Sequence, residues 1–276
     1  MPLQGKIALI PGASRPIGRA IARKFASRGA TLVLPVYDWP ESIAEMENEF
    51  QTAAVKYFCS AVDLRRQDEV VLLAESVRTR FGSLDFLINN IERGGMPVVH
   101  GSYDLAYNKA QWELEITTTM NAKWLLYHHF FPLMQNRAGG SVVNISSIAA
   151  ITGRSGPAAV FFSDGYSAAN RAIQSFTETW AKEAAPALRV NELMLGFIQH
   201  RHGEGTRGWQ NLTDQEKKDL LATILLERTG LPEEVAAAVY YLAVEAGYIT
   251  GTILRMDGGA SLGNSRVPPI PSGILG

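Results

Sequence analysis

The sequence predicts an α/β fold, a parallel sheet covered by helices on both faces. Three observations predict it. Short apolar runs alternate with longer segments of helical period. The runs are nearly continuously apolar, as strands buried on both faces are. The helical segments between them are long enough for the crossovers that parallel strands need. No low-complexity linker and no fixed-period repeat divides the 276 residues, so one domain, 1–276, is the simplest organisation.

Residues 6–10, KIALI, are the first strand. IGRAIARKFASRGA is helical, with Ile17, Ile21 and Phe25 on one face and Gly29 as its stop. TLVLPV at 31–36 is the second strand, with Pro35 near its end. PESIAEMENEF opens on a proline, which a first helical turn tolerates. AVKYFCSAVD is the third strand, QDEVVLLAESVRTRFG a helix closed by Gly82, and LDFLIN at 84–89 the fourth strand. A long helix is expected over about 110–134, then a strand in GSVVNIS and a helix over 166–185. ALRVNELML and GTILRM are the last two strands.

Segment 199–228 has the form of an insertion. It opens with the polar QHRHGEGTRG and continues into a helix signalled by a Thr213/Glu216 capping box and the apolar Leu220, Ile224 and Leu225. Two readings fit it: a lid over a cleft, or a surface excursion that packs without moving. The tail 260–276 is Pro-rich and is expected to lack regular structure.

Composition excludes several classes. Hydrophobic residues make up 46% and charged residues 19%, the balance of a soluble globular protein. A net charge of -1 gives no pull toward nucleic acid or an anionic membrane. Cys59 is the only cysteine, so an internal disulfide and a multi-thiolate metal site are excluded, and no metal is expected. The first residues lack a signal-peptide core and no apolar stretch reaches about 20 residues, so the expected location is cytoplasmic.

The turn IPGASRPIGRA joins the first strand to the first helix, with Gly12 and Gly18 around its bend. A helix N-terminus there offers unpaired N–H groups to a phosphate. In order along the chain follow CSAVDL, LDFLINNIE, GGSVVNISS, YSAANRAIQSFTETWAKE, LRVNELMLGFI and GTILRMDGG. Together they resemble the short-chain dehydrogenase/reductase family over about residues 6–259. The resemblance implies a doubly wound (Rossmann) sheet of seven strands, with a nicotinamide dinucleotide across its carboxyl edge. It also implies a small carbonyl or alcohol substrate and a homodimer or homotetramer. Residues implied at the cofactor are Gly12, Ser14, Arg15, Ile17, Gly18, Asp63, Leu64, Asn90, Asn170, Gly196 and Ile198. Those implied in catalysis are Tyr166 as proton donor, Ser147 as holder of the substrate oxygen, and Asn170 and Thr119 at the relay positions.

Several signature positions differ from the family pattern. Pro16 replaces the middle glycine of the turn, and N-N-A-G reads Asn89-Asn90-Ile91-Glu92. Glu92 faces either solvent or, with Arg93, the substrate mouth. Leu195 precedes Gly196 where a proline is usual, and His200 stands at a threonine position, where a solvated side chain is expected. Asn170 replaces the lysine that lowers the tyrosine pKa, and Thr119 replaces the asparagine of the proton relay. Arg171, five residues from Tyr166, is turned away on the helix, and Lys123 lies one turn beyond Thr119. The segment between Ser147 and Tyr166 is longer than the family's, and its Phe161 and Phe162 add apolar surface to the pocket or to a subunit contact. A tyrosine without a nearby cation stays protonated at neutral pH, which suits an acid in reduction better than a base in oxidation.

Arg15 matches a position that pairs with the 2′-phosphate of NADP, which favours NADP slightly over NAD. Asp38, just past the second strand, is the candidate for the ribose contact of NAD. Three functions follow: a carbonyl reductase, a non-catalytic dinucleotide-binding or scaffold protein, and an enzyme that uses Glu92 as its acid.

Overall fold

The computed structural model describes residues 2–92, 106–137, 139–155, 161–263, 267–270 and 273. Arg93, much of the stretch before Phe161 and much of the C-terminal tail therefore lie outside the described residues.

Seven strands form one parallel sheet in the order β3-β2-β1-β4-β5-β6-β7. They are β1 (Ile7–Leu9), β2 (Thr31–Val36), β3 (Tyr57–Ala61), β4 (Phe86–Asn89), β5 (Gly140–Ser147), β6 (Leu188–Leu195) and β7 (Ile253–Met256). The order reverses between β1 and β4, which places a crevice at their carboxyl ends. Two apolar layers cover the sheet. One joins Ile17, Ile21 and Phe25 to Val235 and Val239, and the other joins Leu73 and Val77 to Leu126, Phe130 and Trp180.

The helices of the first half are α1 (Pro16–Ala26), α2 (Pro40–Thr52) and α3 (Gln67–Phe81). Gly29 and Gly82 follow α1 and α3 with φ of 93° and 73°, the left-handed conformation that ends helices. Pro35 is the penultimate residue of β2 and pairs with Ser60. The Thr31 N–H donates to β1 at Lys6 and the Leu32 N–H to β3 at Lys56, so alternation aims position 35 at β1. β1 has already ended there, so the missing N–H breaks no ladder bond.

The expected long helix is divided. α4 (Ala106–Glu115) passes through a π-turn (Ile116–Asn121) into α5 (Ala122–Met134). The wider turn buries Thr119 fully and leaves Asn121 exposed. After β5 come α6 (Ala149–Thr152) and α7 (Asp164–Ala184), capped by the Ser163 hydroxyl on the Tyr166 N–H. Trp180 of α7 stacks on Tyr127 of α5 at 4.1 Å, so Ile173 and Trp180 are buried within the chain, whereas Trp124 is exposed.

Segment 199–228 contains α8 (Arg207–Gln210) and α9 (Asp214–Thr223), and α10 (Pro232–Tyr240) follows. The Thr213/Glu216 capping box is present. α9 stops before Ile224, because Ile224 turns extended and drops into an apolar layer. There it joins Leu220, Trp209, Phe161, Phe162, Phe197 and Tyr166. The segment is a packed cover over the tyrosine. Among the described residues no helix is long and apolar enough to cross a membrane, and no group of His, Cys, Asp or Glu has the makings of a metal site.

Candidate active site

The turn after β1 is built for close backbone approach. Gly12 has φ of 71°, and a Cβ there would meet the Asn90 carbonyl at 2.6 Å. A Cβ on Gly18 would lie 2.2 Å from the Gly12 carbonyl. The Asn90 amide donates to the Pro11 carbonyl at 3.2 Å, tying the ends of β1 and β4 together. Pro16 is the first helical residue of α1, where its lost N–H is no intrahelical donor. Ser14 and Ile17 are buried beside it. Gly18→Ala is expected to lower Tm, because backbone must shift to admit the methyl. Thermal unfolding checks this.

The far end of the crevice is polar and aromatic. The Arg15 guanidinium lies 4.4 Å over the Trp39 ring and donates to the Ser42 hydroxyl at 3.1 Å. Asp38 is exposed two residues past β2. Asp63 accepts both Arg65 guanidinium bonds at 2.7 Å, which hold its carboxyl below the usual carboxylate range, and Leu64 is buried next to it.

At the other end, the side chains meet around Tyr166. α7 carries Tyr166 with only 1% of its surface exposed. Its hydroxyl donates to Glu92 Oε1 at 3.0 Å, accepts from Arg201 Nη2 at 3.2 Å and lies 3.1 Å from His202 Nε2. The Ser147 hydroxyl, at the end of β5, accepts from the Ala149 N–H at 3.2 Å and lies near enough to the phenol to favour its ionised form. Burial first, then the Glu92 charge, raise the phenol above its ordinary pKa, while Arg201 and Ser147 oppose them. The tyrosine is therefore a protonated acid at neutral pH.

Arg201 and His202 are residues that sequence reasoning missed. A tight turn brings them in: the Ile198 N–H donates to the Arg201 carbonyl at 3.0 Å and the Arg201 N–H returns to Ile198 at 2.8 Å. Arg201 then pairs with Glu92 and donates to the Ser146 carbonyl at 3.1 Å. His202 packs edge-on against Phe162, 5.2 Å between ring centres. Burial, reinforced by the Arg201 charge, lowers its pKa to about 3, so the ring is neutral. The preceding His200 is exposed, as expected. Phe161 and Phe162 serve this pocket. Gly196 passes so close to Asp257 that a Cβ would meet its Cα at 2.7 Å. The Ile198 N–H is already engaged by the Arg201 carbonyl.

Asn170 does not reach the phenol. Its amide nitrogen donates to the Tyr166 carbonyl at 3.0 Å, and its buried Oδ1 has no partner among the described residues. Arg171 is exposed. Lys123 is fully buried and donates to the Ile145 carbonyl at 2.6 Å. Burial lowers its pKa to about 8 against the pull of Glu92 and Glu192. Behind the site a buried chain of bonds runs from Asn89 to Asn144 (2.8 Å), Thr177 (2.9 Å) and Glu192 (3.3 Å), where Ser146 also donates.

The chain is similar to known proteins along nearly its whole length. A family model described as "Enoyl-(Acyl carrier protein) reductase" matches residues 12–261. The 3-oxoacyl-[acyl-carrier-protein] reductase FabG of Escherichia coli is 31% identical over 261 residues, 94% of this chain and 98% of that protein. The FabG of Thermotoga maritima is 29% identical, across 94% and 99%. Among solved structures, a short-chain dehydrogenase/reductase from Serratia marcescens superposes with a TM-score of 0.78 at 27% identity, covering 95% of this chain and 100% of that one. A glucose/ribitol dehydrogenase from Brucella melitensis gives 0.78 at 24% identity, over 94% and 99%, a likeness of fold.

Proposed function

The chain belongs to the short-chain dehydrogenase/reductase family, and on that premise we propose that it is an NAD(P)H-dependent reductase of small carbonyl compounds. The observation that carries this reading is the buried, protonated Tyr166 hydroxyl near Ser147, which ends β5 at the sheet's carboxyl edge. Tyr166 gives its proton to the carbonyl oxygen while Ser147 holds that oxygen. The bound dinucleotide supplies the hydride.

The residues present fit such a group. Gly12, Ser14, Ile17 and Gly18 form the phosphate turn, Asp63, Leu64 and Asn90 the adenine and ribose wall, and Gly196 and Ile198 the nicotinamide side. The orphaned Asn170 Oδ1 is an acceptor suited to a ribose hydroxyl. Arg15, backed by Trp39 and Ser42, supports NADP over NAD. Turnover requires the Ile198–Arg201 turn to lift, since the phenol is otherwise enclosed. A homodimer or homotetramer in the cytoplasm completes the proposal.

A second reading, a dinucleotide-binding protein without turnover, draws on that enclosure and on the Ile198 N–H already bonded to Arg201. Fluorescence titration with NADPH and NADH, followed by an assay on carbonyl compounds that include a 3-oxoacyl thioester, separates the two. The reductase reading expects tighter NADPH binding and turnover in the unmodified chain. Absence of binding by either nucleotide sinks it. Binding without turnover, with turnover appearing in Asn170→Lys, supports the second reading.

A further inference from the structure

We propose that Glu92 is the proton relay of this site, returning a proton from solvent to Tyr166 after each reduction. The inference rests on the reductase reading and deepens it. Four facts meet at this side chain. Its Oε1 accepts the phenol proton at 3.0 Å. Its side chain is 16% exposed while Tyr166 is at 1%, so the carboxylate spans buried phenol and surface. The Arg201 guanidinium grips its other oxygen and fixes its direction. And Asn170 turns its amide to its own helix backbone rather than to the phenol.

The step balances. The phenol O–H bond breaks as the alcohol O–H forms, leaving a phenolate beside Glu92. Glu92, protonated from water, then loses its carboxyl proton to the phenolate, and the phenol O–H is restored. The nicotinamide nucleotide supplies the hydride and the solvent supplies the net proton. Glu92 follows β4, an element separate from the turn that carries Arg201 and His202.

Glu92→Gln and Glu92→Gly are expected to lower kcat at least about tenfold with KM within a factor of about two. Glu92→Asp should keep part of the rate, and formate or acetate should restore part of it in Glu92→Gly. A second readout needs neither nucleotide nor turnover. The phenolate absorbance that disappears in Tyr166→Phe should arise at lower pH in Glu92→Gln, because a negative neighbour has gone. The other groups facing the phenol, Ser147 from β5 and Arg201 and His202 from the turn after β6, are unchanged in that comparison. An active wild type whose kcat is matched by Glu92→Gln, or an unshifted phenolate titration, overturns the relay. A wild type that binds nucleotide and reduces nothing overturns the reductase reading instead.

Discussion

Tyr166→Phe is expected to lower carbonyl reduction by about two to four orders of magnitude while dinucleotide affinity stays within a factor of about two. The substitution removes one oxygen from the point where Glu92, Arg201, His202 and Ser147 converge. Arg201 keeps its ion pair with Glu92 and its bond to the Ser146 carbonyl, so neither buried charge is orphaned. The phenyl ring still fills the layer with Phe162 and Phe197. The fold should therefore survive, and an unchanged thermal transition checks that. The loss should appear in kcat, because proton donation belongs to the transition state. The same protonated phenol makes the reverse reaction slow. Alcohol oxidation needs the phenolate, which burial and Glu92 disfavour, so wild-type oxidation at pH 7 should trail reduction by at least about tenfold. Reduction that persists in Tyr166→Phe would move the acid elsewhere, with Glu92 the nearest candidate.

The fold was legible because buried parallel strands leave apolar runs and helices leave a period. The π-turn at Ile116–Asn121 was not legible, since a one-residue widening leaves no trace in either pattern. Tyr166 and Ser147 could be read because their segments follow a fixed order along the chain. Arg201 and His202 could not. QHRHGEGTRG has no period, and only the Ile198–Arg201 turn decides which of its side chains point inward. Glu92 left two readings open, and the bond to Tyr166 selects the inward one. Glu192 is a carboxyl inside the apolar run LRVNELML. Its partners Ser146 and Thr177 come from another strand and another helix, beyond the reach of local pattern.

Lys123→Met is expected to stabilise the folded chain at pH 7 by about 2 kcal/mol, raising Tm by roughly 5 °C. The ammonium is wholly buried, and burial brings its pKa from 10.5 to about 8. Below pH 8 both folded and unfolded lysine carry the proton, and the folded state bears the cost of the charge, about 3 kcal/mol by linkage. Loss of the bond to the Ile145 carbonyl returns about 1 kcal/mol of that. Methionine has nearly the same length and fits an apolar slot. The sign gives a second test. Between about pH 8 and 10.5 the unfolded chain holds a proton that the folded chain has released, so wild-type stability rises with pH on this group's account. Cys59, pushed up to about 11 by burial, works in the opposite sense above pH 9, but it is common to both proteins and cancels in their difference. The advantage of Lys123→Met should therefore shrink from pH 7 toward pH 10. Glu92, Arg201 and Glu192 are the charges that face the ammonium, and all three remain in the variant. Glu192 loses a favourable neighbour, yet burial already raises its pKa and Ser146 and Thr177 still donate to it. A variant less stable than wild type at pH 7 would mean that the ion–carboxylate attraction outweighs burial, and that Lys123 is held in the interior by its charge partners.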